Sequence, residues 1–133
     1  MPYLLDTNIC SFVLKQKPFE VYRKFARTTP SEIFVSVVTV YELVVGCEKS
    51  PHRSLLLSAV QKFLMPFSLL QFTENHAYRA ASLRARLEKS GTPIGPYDLL
   101  LAAQALTERF TFVTNNTREF RRVRDLQIQD WSK

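Results

Sequence analysis

The sequence predicts an α/β protein: one domain over residues 1–133, with a mainly parallel sheet of four to five strands covered by helices on both faces. Three observations carry this. Short β-branched and aromatic runs alternate with longer amphipathic stretches along the whole chain, the pattern of successive βαβ units. Hydrophobic residues make up 46% and there are only three glycines, a globular composition able to fill a packed core. No internal repeat, low-complexity tract or linker divides the chain.

Residues 3 to 8, YLLDTN, read as a short buried strand ending at Asp6, after which Thr7 or Asn8 can cap a helix over about Ile9 to Lys15. Residues 19–28 place Phe19, Val21, Tyr22 and Phe25 among charges at near-helical spacing, between Pro18 and Pro30. A second strand, IFVSV at 33–37, leads into TVYELVVGCEKS, where Thr39 followed by Glu42 forms a possible capping box. Residues 53–65 repeat apolar side chains at helical spacing and stop at Pro66, and FSLLQF reads as a third strand. From Glu74 to Lys89 runs a long amphipathic helix. SGTPIGP, residues 90–96, breaks it with two of the three glycines, and Pro96 suits the first position of the next helix, YDLLLAAQALTER. FTFVT at 110–114 is the fourth strand and LQI at 126–128 a short fifth.

Charge and the rarer side chains narrow the function. Eighteen basic against twelve acidic residues give a net charge of +6, an excess suited to phosphate-rich partners. The excess concentrates in TREFRRVR at 117–124 and YRAASLRARLEK at 78–89, each otherwise readable as a solvated helix face. Arg86, Arg118, Arg121 and Arg122 are the candidate nucleic-acid contacts. Cys10 and Cys47 lie in apolar segments and read as buried free thiols; His52 and His76 lack partners at metal-ligand spacing and read as surface or cap residues. No apolar run approaches the roughly 20 residues of a membrane span, and no leader pattern opens the chain, so the expected location is the cytoplasm.

The carboxylates are the chemically informative set. Ligands of open parallel sheets bind beyond the carboxyl ends of the strands, where Asp6 falls. Singly, each acid has an ordinary role: Asp6 as a helix cap, Asp98 as complement to a helix dipole, Glu42 as part of a capping box. Glu42 strains that role, because its helix is apolar nearly all round and a lone buried charge is costly. Together the three fall near strand ends or helix starts, which a parallel sheet gathers on one edge. Carboxylates so gathered repel unless a hard cation such as Mg²⁺ or Mn²⁺ neutralises them. An acidic pocket ringed by arginines suits metal-assisted hydrolysis of a phosphodiester.

LLDTN, VTVYELVVG, GTPIGPYDLLLAAQA and FVTNNTREF resemble, in order and over essentially the whole chain, the PIN-domain ribonucleases, specifically VapC-type toxins of bacterial toxin–antitoxin pairs. GTPIGPYD and the ending LQIQDWSK are similar to the branch that cuts initiator tRNA in its anticodon loop. The resemblance implies a PIN-like fold and a Mg²⁺- or Mn²⁺-dependent endoribonuclease in which Asp6, Glu42 and Asp98 hold the metal. It also implies polar support from Thr7, Asn8, Thr114 and Asn116, a homodimer, and a VapB-type antitoxin through which alone operator DNA is bound. Many PIN domains have a fourth acid at the position of Asn116. Here Glu119 follows three residues on, and a helical turn would put it on the same face; its ordinary role would be pairing with Arg122 or with a helix dipole. A haloacid dehalogenase-type phosphatase also places an acid after strand one but needs a second two residues later, where this chain has Asn8. The remaining rival is a noncatalytic RNA- or partner-binding α/β module.

Overall fold

The computed structural model, which describes residues 2–133, joins the expected strands into one sheet. Strands β1 (Tyr3–Leu5), β2 (Ile33–Ser36), β3 (Ser68–Leu70), β4 (Thr111–Val113) and β5 (Ile128–Gln129) lie in the order β3-β2-β1-β4-β5. Every neighbouring pair is parallel, with Tyr3 opposite both Ile33 and Thr111. The order reverses at β1, so the crevice between the ends of β1 and β4 is the switch point where α/β sheets bind ligands. The connecting helices are α1 (Thr7–Lys15), α2 (Phe19–Arg27), α3 (Val37–Glu48), α4 (Arg53–Leu64), α5 (Glu74–Lys89), α6 (Pro96–Glu108) and α7 (Thr117–Phe120).

Alternation along the strands divides the apolar residues between two cores. Leu5, Ile33, Val35 and Val113 face one side and pack with Ile9, Cys10, Val13, Val21, Leu43, Cys47 and Val60 of α1 to α4. Leu4 and Phe112 face the other and pack with Leu83, Leu87, Leu99, Leu101, Ala102, Ala105 and Phe120 of α5 to α7. Burial on both faces is why these short strands read as apolar runs. Both cysteines are free and buried, as expected. No helix among the described residues is long and apolar enough to cross a membrane.

Several local expectations are corrected. Helix α1 starts earlier than predicted, and of the offered caps it is Asp6, not Thr7 or Asn8, that serves: Oδ1 of Asp6 accepts the Ile9 N–H at 2.8 Å. Helix α3 is capped by Ser36, whose hydroxyl at the end of β2 accepts the Val38 N–H at 3.0 Å. Thr39 is therefore inside the helix and buried, and Glu42 belongs to no capping box. β4 is shorter than predicted because the Phe110 N–H closes the end of α6 on the Ala105 carbonyl. β5 begins two residues later than predicted, since the chain is still turning at Leu126, whose N–H donates to Val123 O. Of the two readings of His76, surface or cap, the cap holds: it closes a capping box with Thr73 and is not on the surface. It is buried at the third position of α5, its Nδ1 accepting the Thr73 N–H, so Nε2 carries the proton and donates to Glu108 at 2.7 Å. His52 precedes α4 and makes no side-chain cap bond.

The His76–Glu108 bond joins the start of α5 to the end of α6, while Leu87 and Leu99 share a core near the opposite ends. The two helices are therefore antiparallel, and the end of α5 that carries Arg86 lies toward the start of α6. Gln104 ties α6 to the rest: its Oε1 accepts the buried Ser36 hydroxyl at 2.5 Å and its Nε2 donates to Gln71 O, at the edge of the core, at 3.3 Å. Gln104→Leu keeps the volume but leaves the buried Ser36 hydroxyl without its acceptor and frees the Gln71 carbonyl. It should destabilise the protein by about 2–3 kcal/mol, measured by urea unfolding; a loss below about 0.5 kcal/mol would mean the partners find other bonds.

Candidate active site

The site starts from Asp6, which leaves β1 pointing into the switch-point crevice and is only 4% exposed. One carboxyl oxygen caps α1 and the other accepts the Thr114 hydroxyl at 2.5 Å from the end of β4. The Thr114 Oγ1 also accepts the Asn116 N–H at 3.0 Å, which turns the chain from β4 toward α7. Burial raises the Asp6 pKa to about 6; the Thr114 and Ile9 hydrogen bonds oppose that shift, and the charges of Glu42 and Asp130 add to it.

Glu42 is brought over from α3. The Thr7 hydroxyl, one residue past Asp6, donates to Glu42 Oε1 at 2.6 Å and lies 3.1 Å from the buried Thr39 hydroxyl. An acid inside an otherwise apolar helix thus has its partner on the neighbouring helix. Asn8, the other candidate support, is exposed and lies beyond this contact.

Asp98 and Glu119 complete the set from α6 and α7. Asp98 is the third residue of α6, and its carboxyl is hydrogen-bonded to that of Glu119. Its pKa is raised to about 7, chiefly by burial, then by that bond and by the charges of Glu119, Asp6 and Glu42. Glu119 is held in turn by the Gly95 N–H at 3.3 Å on one oxygen and the Asn116 side-chain amide at 3.2 Å on the other. A Cβ on Gly95 would stand 3.3 Å from Asp98 Oδ2, close enough that a larger residue would press on the Asp98 carboxyl. The expected face shared by residues 116 and 119 is present. Arg122 does not pair with Glu119 but donates to Pro93 O at 2.8 Å, bracing the loop before α6.

Four acids from four elements therefore act on one another across the end of the sheet. Their donor set is all oxygen and hard, the type that Mg²⁺ and Mn²⁺ accept, and protons held to pH 6 and 7 are what a dication displaces. Among the described residues, no three His, Cys, Asp or Glu side chains already close into a cation cage. The Asp98–Glu119 hydrogen bond is one reason, since the oxygens that would face an ion face each other.

Cations flank the acids. Arg118, Arg121 and Arg122 are exposed along and after α7, and Arg86 is exposed on α5. On the other side Lys24 and Arg27 line a hollow of ≈ 350 Å³ with Gln129, Asp130 and Trp131. Sequence reading passed over Asp130, Gly95, Lys24 and Arg27. The glycine had a signal, standing one residue before the proline that opens α6; Asp130 had none, because only β-strand order brings it beside Asp6.

A PIN-domain model matches residues 3–126. Salmonella typhimurium tRNA(fMet)-specific endonuclease VapC is 38% identical over 98% of both chains, and Haemophilus influenzae ribonuclease VapC2 is 36% identical over 98% of both. The crystal structure of DNA-bound VapBC from Salmonella typhimurium contains a chain that superposes with a TM-score of 0.92 at 36% identity over 98% of both chains. In VapBC2 from Rickettsia felis, bound to a promoter DNA fragment, the values are 0.88 and 32%, over 98% of this chain and 99% of the other. The chain belongs to the PIN-domain family, in its VapC group.

Asp6 and Asp98 keep protons in the folded protein that the unfolded chain releases near pH 3.8. Between that value and pH 6 to 7 the folded state binds more protons, so stability falls as pH rises. Without divalent cations the protein should lose stability from pH 4.5 to 7.5, Asp6 accounting for at most about 3 kcal/mol. Asp6→Asn retains a capping oxygen and should flatten that slope and be the more stable form at pH 7.5. Urea unfolding in chelator at several pH values is the measurement; parallel slopes for both proteins would refute the assignment.

Proposed function

We propose that this chain, as one PIN domain over residues 1–133, is a divalent-metal-dependent endoribonuclease toxin that hydrolyses RNA phosphodiester bonds, with the anticodon loop of initiator tRNA as its target. The observation that carries this is the mutual charge coupling of Asp6, Glu42, Asp98 and Glu119 at the sheet's switch point. Evolved folds seldom retain several repelling carboxyls in one crevice unless a ligand uses them. The tRNA(fMet)-specific name of the Salmonella relative supports the substrate.

Asp6, Glu42 and Asp98 would hold Mg²⁺ or Mn²⁺, with Glu119 as the fourth acid in place of Asn116. The ion would supply charge against the anionic phosphate and ready a water for attack. Thr7 and Thr114 orient the Glu42 and Asp6 carboxyls, leaving their remaining lone pairs to the ligand. Asn116 fixes the Glu119 side chain. Arg86, Arg118 and Arg121 hold flanking phosphates, while Arg122 acts on the loop that presents Asp98. The DNA-bound VapBC complexes support a VapB-type antitoxin as partner, through which operator DNA is bound; a homodimer of this chain belongs to the same proposal and rests on the family resemblance. A hollow of ≈ 270 Å³ between α1, α3 and α4, lined by Leu14, Leu43, Leu56 and Val60, supports a partner with an apolar segment.

Cleavage of initiator tRNA should require Mg²⁺ or Mn²⁺ and stop in EDTA. Asp98→Asn should lower it at least about a hundredfold while the fold is retained. Glu119→Gln should reduce turnover less and raise the metal concentration needed for half-maximal rate. Metal-indifferent binding with no cleavage would favour the noncatalytic module.

RNA affinity should fall steeply between 50 and 200 mM salt. Replacing Arg118 and Arg121 together by Ala should reduce the slope of log affinity against log salt by about 1 to 2, with metal affinity unchanged. Filter binding in the Asp98→Asn background measures the slope and metal titration with Asp98 intact measures the ion, and an unaltered slope would place the phosphate track elsewhere.

A further inference from the structure

Two exposed aromatic side chains stand at the rim of the acidic crevice, and neither belongs to a core. Tyr41 immediately precedes Glu42 on α3, and Tyr97 immediately precedes Asp98 on α6. Consecutive helical side chains point about 100° apart, so each ring flanks its acid on the outer side of the crevice. The ring centroids lie 5.5 Å apart with planes inclined at 58°, and the hydroxyls approach to 3.3 Å. Tyr41 is 53% and Tyr97 42% exposed, far more than a ring placed for packing needs. The Tyr97 hydroxyl is held above its ordinary pKa, first by the hydrogen bond to Tyr41 and also by the Glu42 charge, which puts it beside the acids.

We propose that Tyr41 and Tyr97 form a stacking platform for one unpaired base beside the scissile phosphate, so that the site selects single-stranded loop RNA over duplex. The inference deepens the ribonuclease reading and rests on it. A-form duplexes bury their base faces, whereas loop nucleotides can be turned out onto aromatic rings. Stacking tolerates any base because every base has a π-face. The inclination of the rings keeps them from covering one another, so face area remains for a third ring. Their hydroxyl contact spans α3 and α6, the helices that carry Glu42 and Asp98, and a base seated there would place its own phosphate at the acids. The arginines anchor backbone in either form of RNA; the tyrosines add the preference for unpaired bases.

The test uses the full chain with Mg²⁺, a short hairpin RNA cleaved in its loop, and a copy with an abasic site next to the cleaved bond. Tyr41→Ala and Tyr97→Ala should each raise KM for the hairpin about tenfold, with kcat nearly unchanged, whereas Tyr41→Phe and Tyr97→Phe stay near the unsubstituted protein. The abasic hairpin should erase the difference between Tyr and Ala, and 2-aminopurine at that position should be quenched by the unsubstituted protein and the Phe variants but not by the Ala variants. Unchanged KM in the Ala variants overturns the proposal. Equal losses in Phe and Ala overturn it too, since the hydroxyl tie and not the ring faces would then matter. A loss that tracks dissociation of the oligomer in light scattering assigns the rings to contact between copies and likewise overturns it. If the unsubstituted protein does not cut the hairpin at all, the ribonuclease reading fails and the platform fails with it.

Discussion

The structure depends on how one buried carboxyl is satisfied. Asp6 has left water almost completely, and a charge there is tolerable only because Ile9 and Thr114 donate to its two oxygens. Those bonds join the end of β1, the first turn of α1 and the end of β4, the three elements that meet at the switch point. The same contacts close the fold and aim the acid. This is why its reading as a helix cap and its reading as a site residue are not alternatives: the cap uses one oxygen of a group whose position suits ligand binding.

The other acids are delivered by means that leave the cores intact. Glu42 sits on an apolar helix, but its partner Thr7 comes from α1, so the helix surrenders only one position to polarity. Asp98 depends on α6, which lies against the sheet through Ala102, Ala103 and Ala105 and is joined to β2 by the Gln104–Ser36 bond. Small residues permit the close approach, and the buried amide sets register where alanine faces alone would slide. Glu119 reaches the cluster from a single turn of helix, α7, held by Asn116 and by the backbone of Gly95.

The chemistry of the cluster is frustrated in the protein alone. Asp98 and Glu119 share a hydrogen bond that survives only while one carries a proton, and the Asp98 pKa of about 7 puts that condition close to neutrality. Protonation and a bound cation are two solutions to one electrostatic problem, and they compete. The surrounding cations do not resolve it from within: Arg122 is spent on Pro93, and the remaining arginines face outward, where an RNA backbone can meet them.

Much of this was legible along the chain. Alternating segments established a parallel α/β sheet, because strands buried on both faces must be apolar throughout and must be joined by crossover helices. Asp6, Glu42 and Asp98 were visible as a set, since acids at strand ends and helix starts are gathered on one edge by that topology, and Glu119 followed from helical spacing to Asn116. The cap of α3 was misread by three residues and that of α1 was left among Asp6, Thr7 and Asn8: several neighbouring side chains can cap in principle, and the strand end that precedes the helix selects among them. Burial of His76 against Glu108, the Gln104 tie, the turn of Arg122 toward Pro93 and the nearness of Asp130 to Asp6 belonged to the tertiary structure alone. Each pairs residues distant in sequence, and periodicity records which face a side chain occupies but not what stands opposite it.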